Sequence, residues 1–108
     1  MIEVEHEGIV CKIVVLDHFS LDDVHDVIED VESAHARKVL IDLSQIEVMT
    51  SSNIGLLVAM YNNLKEINVG MSLCNLTAKN RHLVSIAKLD TLFSVFDTVD
   101  AGVSALNQ

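Results

Sequence analysis

The chain has no proline, only four glycines, and no Gly/Ser-rich or low-complexity tract in its 108 residues. With no such tract, nothing marks an internal boundary, and independent domains usually need more than about 50 residues each. A single domain over residues 1–108 is therefore expected. Scarce glycine also leaves little material for tight ligand loops. There is no Gly-rich phosphate loop, no Gly-x-Ser-x-Gly elbow, and no strong Ser/His/Asp or Cys/His arrangement. Neither an enzyme nor a cofactor is expected.

Basic residues are also few, 7 against 16 acidic ones, giving a net charge of −9. Such a balance repels a phosphate backbone and yields no counterion-release affinity, so no nucleic-acid partner is expected. No apolar run approaches the ~20 residues of a spanning helix. The start, Met1-Ile2-Glu3-Val4-Glu5, is acidic rather than signal-like, and a cytoplasmic protein without membrane insertion is the expectation.

The two cysteines, Cys11 and Cys74, each sit inside an apolar stretch without a Cys-x-x-Cys spacing, and read as small core hydrophobes. No metal site is expected. His18, Asp22 and His25 fall close together, but amid Asp23 and Asp26 they read as a solvated acidic face; His6, His35 and His82 are scattered. The stretch from Asp17 to Glu32 has no Lys or Arg, a composition that favours solubility and offers contact to a basic partner.

Half of the residues are apolar, enough for a chain this size to bury roughly two-thirds of its unfolded surface. Ile2 to His6 alternates apolar and polar, Glu7-Gly8 makes a turn, and Ile9 to Leu16 is a β-branched run, together an opening hairpin. Ser20 caps a helix with Leu21, Val24, Ile28 and Val31 on one stripe. Lys38 to Leu43 is a nearly continuous apolar run, as in a strand covered on both faces. Thr50-Ser51-Ser52 opens a second helix with Ile54, Leu57, Val58, Tyr61 and Leu64 on one face, ending near Asn68 and Gly70.

Met71 to Leu76 is the next strand, and Thr77 caps a third helix carrying Leu83, Ile86 and Ala87. Phe93 to Phe96 is a short edge strand. Asp97 or Thr98 caps a last helix with Val103 and Leu106. The expected fold is α/β, in the order β-β-α-β-α-β-α-β-α. Its sheet is four- to five-stranded, mostly parallel with an antiparallel edge strand, and covered by helices.

Val39-Leu40-Ile41-Asp42-Leu43-Ser44-Gln45-Ile46, followed by Met49-Thr50-Ser51-Ser52-Asn53-Ile54-Gly55-Leu56-Leu57, resembles the signature of the STAS domain family, Asp-Ser-Ser/Thr-Gly-Leu-Gly. Thr50 takes the place of the aspartate, Ser51 that of the phosphorylated serine, Ser52 the next hydroxyl, Asn53 the first glycine and Gly55 the second. Asn is the residue that best tolerates left-handed geometry in place of glycine. Leu89 to Asp97 looks like the family's late leucine, phenylalanine and final strand. Where the family commonly has Gly-Glu-Leu-Asp, this chain has Asp17-His18-Phe19-Ser20.

The resemblance implies a switch of the anti-sigma-factor antagonist type, phosphorylated at Ser51, with Ser52 and Thr50 as alternatives. Partner contact would run over Thr50, Ser51, Ser52, Asn53, Ile54 and Gly55. The implied partners are a GHKL-type serine kinase that doubles as an anti-sigma factor and a PP2C-type phosphatase. A non-switching STAS scaffold subunit is the alternative within the family.

Independently of any family, a helix start offers unpaired N–H groups and the positive dipole end to a phosphate. The same hydroxyls also serve as ordinary caps. A phosphoaspartate receiver would use Asp17 and Asp42 at strand ends, but the last strand offers no lysine.

Overall fold

The computed structural model describes residues 1–16 and 19–108. Strands β1 (Ile2–Glu7) and β2 (Val10–Val15) pair antiparallel with Glu7 opposite Val10, so Gly8 and Ile9 form the turn. Gly8 takes φ +62°, a left-handed conformation that strains residues bearing a Cβ. A Cβ there would also strike the Asn107 side chain, which clasps the hairpin. Asn107 Oδ1 accepts from the Ile9 N–H at 3.0 Å, and Nδ2 donates to the Glu7 carbonyl at 3.2 Å.

Helix α1 (Leu21–Ala34) starts in a capping box: Ser20 Oγ accepts from the Asp23 N–H and Asp23 accepts from the Ser20 N–H. Its buried face holds Val24, Val27 and Val31 together with Asp23. Leu21, expected on that face, is exposed, and Ile28 is half-buried. At about 100° per residue the inward face centres near Val27 and Val31, which leaves Leu21 and Ile28 about a quarter turn round.

The chain continues through β3 (Lys38–Asp42), α2 (Ser51–Glu66), β4 (Gly70–Cys74), α3 (Ala78–Ile86), a 3₁₀ turn (Leu89–Thr91), β5 (Ser94–Phe96) and α4 (Val99–Leu106). The sheet order is β1-β2-β3-β4-β5, with β1 antiparallel and the rest parallel. Every parallel crossover steps the same way across the sheet. Right-handed connections then put α1, α2 and α3 on one face, and the C-terminal α4 covers the other.

β3 shows why its sequence is apolar throughout. Val39 and Ile41 enter the larger core with Val24, Val31, Leu57, Met60 and Leu64, whereas Leu40 turns to Val99, Val103 and Leu106. Gly102 lets α4 lie against the sheet, since a Cβ there would sit 2.8 Å from Leu40.

The third helix differs from expectation in phase. Asn80 and Val84 are buried, Leu83 is half-buried, and Ile86 and Ala87 are exposed. The helix is rolled by hydrogen bonds that Asn80 makes at its start, and Leu89 and Phe93 of the following turn fill the core instead. Cys11 and Cys74 are free and buried, in the larger and the smaller core respectively. Burial, then nearby Asp30 and Asp42, pushes their thiols up to about 12.

Candidate functional site

The start of α2 is presented by the loop that leaves β3, and that loop is anchored along its length. The Leu43 N–H bonds to the Cys74 carbonyl at 3.1 Å, and the Ser44 N–H donates to Asp42 Oδ1 at 2.9 Å. Asn80, fully buried, then clamps the far end: Oδ1 accepts from the Met49 N–H and Nδ2 donates to the Ile46 carbonyl, both at 2.7 Å. Thr77 adds a third tie, donating to the Glu47 carbonyl at 2.9 Å while accepting from the Asn80 N–H at 3.2 Å. Thr77 is legible in the sequence as a cap, whereas the role of Asn80 is not. Its partners lie 31 and 34 residues away, and only its spacing from Thr77 hinted at a role.

Thr50 is the N-cap, with extended backbone at φ −88° and ψ 166°. Its Oγ1 accepts from the Asn53 N–H at 3.1 Å, and Asn53 Oδ1 accepts from the Thr50 N–H at 2.9 Å. This reciprocal box satisfies two of the backbone groups that a helix start leaves open. Ser51 and Ser52 occupy the first two helical positions and are exposed, and neither hydroxyl is needed to close the helix.

Ile54 is half-buried against the larger core. Gly55, one turn beyond Ser51, is exposed, and a Cβ added there would meet none of the described residues within 4 Å.

The backbone at the start of α2 favours an anion, while the acidic Glu47 lines the depression beside it. The first turn of α2 has no acidic residue, whereas α1 opens with Asp22 and Asp23. The partial positive charge of the α2 start is therefore uncompensated within its own first turn. Beside it lies an open depression of about 460 Å³ lined by Phe19, Ile46, Val48, Thr50, Ser52 and Asn53 among others. Val48 stands nearly half exposed on its rim.

The family model for the STAS domain matches residues 5–102. The chain belongs to the STAS domain family. It is similar to an anti-sigma factor antagonist from Mycobacterium paratuberculosis, at 22% identity and TM-score 0.81 over 100% of this chain and 94% of that one. A STAS domain protein from Planctomyces limnophilus, described as an anti-sigma-factor antagonist, matches at 25% identity and TM-score 0.77, over 99% and 98% of the two chains. The phosphorylated form of the Bacillus cell fate determinant SpoIIAA matches at 14% identity and TM-score 0.69, over 98% and 99%. No curated protein matches the chain.

Within the STAS frame, the two departures from the signature are partners. Thr50 and Asn53 are the two halves of one capping box. An aspartate in the first position could cap, but a glycine in the fourth has no side chain with which to return the bond. Asn53 is not at positive φ, so its tolerance of left-handed or turn geometry is not used here, and its role is hydrogen bonding.

The remaining candidates do not assemble. Asp17 and His18 lie outside the described residues, and Asp22 and His25 are exposed along α1. In the departing segment, Phe19 is buried and Ser20 caps α1. Asp42 accepts a local bond from Ser44, and the sheet order has no reversal at which a receiver-like site would open. Among the described residues no helix is long and apolar enough to cross a membrane.

Proposed function

We propose that this STAS domain is a non-enzymatic cytoplasmic switch that binds a GHKL-type serine kinase and anti-sigma factor through the start of α2 and is released by phosphorylation of Ser51. A PP2C-type phosphatase would restore binding. The observation that carries this reading is the division of labour at the helix start. Thr50 and Asn53 hold the cap, leaving the exposed Ser51 hydroxyl available to a kinase. The likeness to proteins described as anti-sigma factor antagonists, among them SpoIIAA, which is also solved in a phosphorylated form, supports it.

The energetics suit a switch. A phosphoryl group adds about −1.5 to −2 charges, which the dipole stabilises by only ~0.3–1 kcal/mol each at an exposed site. The fold is thus barely affected. A partner packed over the same spot meets a desolvated or like charge at a cost of several kcal/mol, and about 4 kcal/mol is a thousandfold in affinity.

Incubation with a cognate GHKL kinase and ATP should add one phosphate, located at Ser51 by mass spectrometry and absent in Ser51→Ala. Undiminished uptake by Ser51→Ala would move the site to Ser52 or Thr50. Partner binding indifferent to both Ser51→Ala and Ser51→Asp would instead mark a scaffold.

A further inference from the structure

Away from α2, the fold gathers three side chains that ligate metals. His6 and Cys11 stand opposite each other in the opening hairpin, and Cys11 faces the core beneath α1. Asp30 reaches them from α1. Its Oδ2 lies 2.6 Å from His6 Nε2 and 3.7 Å from Cys11 Sγ, and the three donor atoms all fall within 4.8 Å of one another. We propose that His6 Nε2, Cys11 Sγ and a carboxylate oxygen of Asp30 form a three-ligand zinc site whose fourth position is open to water or an outside ligand.

The donor set, one sulfur, one imidazole nitrogen and one carboxylate oxygen, is that of a borderline-soft ion preferring tetrahedral coordination. Zn–S near 2.3 Å and Zn–N or Zn–O near 2.0 Å put tetrahedral donors about 3.3–3.5 Å apart. The sulfur–oxygen pair already has nearly this spacing. The nitrogen–oxygen pair must open by less than about 1 Å, a change within reach of two partly exposed side chains.

Access is built in, since the side chains of His6 and Asp30 are 36% and 40% exposed while Cys11 forms the buried floor. On binding, the Cys11 thiol releases its proton to solvent as the Zn–S bond forms. His6 ligates as the neutral imidazole with its remaining proton on Nδ1. The ion would tie β1, the outer strand of the sheet, to α1.

The test is titration of the reduced full chain with Co²⁺ and then Zn²⁺, read by absorbance and by thermal unfolding. One Co²⁺ should bind with a near-ultraviolet thiolate charge-transfer band, Zn²⁺ should displace it, and Zn²⁺ should raise Tm, because a ligand of the folded state stabilises it. Cys74→Ala, altered in the other core, should keep the band, and Cys11→Ala should lose it. His6→Gln, a change at a partly exposed position that leaves the core intact, should weaken binding at least about tenfold, as should Asp30→Asn. Absence of stoichiometric binding, a Co²⁺ complex lacking the thiolate band, or unchanged affinity in His6→Gln would overturn the site.

Discussion

Asn80 is the residue on which the position of the candidate switch depends most. It is fully buried and supplies both an acceptor to Met49 and a donor to Ile46, which bracket the loop leading into Thr50. Asn80→Ala leaves both backbone groups without their partner, at about 1–3 kcal/mol for each buried unsatisfied group. Urea denaturation should show a loss of that order. Kinase-dependent labelling should fall as well, because the loop no longer holds the helix start in place.

Asp23 is the second residue whose role is invisible locally. It stands in an acidic run that reads as a solvated face, yet it is buried, closes the α1 box and pairs with the Met1 ammonium at 3.0 Å. Partial burial opposes its ionisation, but bonds from Met1 and Ser20 outweigh this and hold the carboxyl below its usual value of 3.8. The folded-state value is lower than the unfolded one. The stabilisation is therefore complete above the unfolded value and is lost as pH falls through the folded one. The stability difference between wild type and Asp23→Asn should be constant between about pH 5 and 7, where the Met1 ammonium keeps its charge, and shrink as the pH drops below 3.8. A difference that does not change with pH would contradict this.

At the scale of elements, the helix starts were legible because caps are local: Ser20 and Thr77 cap where expected, and of the two candidates Asp97 and Thr98 it is Thr98 that caps α4. The phase of a helix is not local. The spacing in α3 puts Leu83, Ile86 and Ala87 on one face, but the two bonds of the buried Asn80 turn Val84 inward instead.

In the proposed switch α2 separates capping from signalling, and two substitutions test the capping half. Thr50→Ala should cost ~1 kcal/mol by denaturation, while Ser51→Ala should stay within about ±0.5 kcal/mol. Gly55 sharpens the contrast. No described residue crowds a Cβ there, so Gly55→Ala should stabilise the helix by about 0.5–1 kcal/mol. If a partner backbone approaches closely at this face, the same change should weaken partner binding. Stabilisation with unchanged binding would place the contact elsewhere.

For the whole molecule, the strand and helix order was readable from periodicity. The order of the strands across the sheet was not; once it is known, the handedness rule puts α1, α2 and α3 on one side, and the packing of Gly102 on Leu40 puts α4 on the other. The site was half legible. Thr50, Ser51 and Asn53 could be placed on the signature from sequence, but the bond between Thr50 and Asn53 that frees Ser51 could not, nor could the clamp from α3, nor the meeting of His6, Cys11 and Asp30 across the hairpin and α1. Each depends on side-chain direction or on contacts between distant segments.

The central claim is that Ser51 carries a charge switch on a fold indifferent to that charge. Its most direct test is the Kd of the protein for the proposed GHKL partner, measured by calorimetry before and after stoichiometric phosphorylation, with Tm followed on the same samples. A loss of affinity near a thousandfold, about 4 kcal/mol, with little change in Tm is the expected result. Equal affinities of the two forms, or a lost affinity that tracks unfolding of the phosphorylated protein, would contradict it.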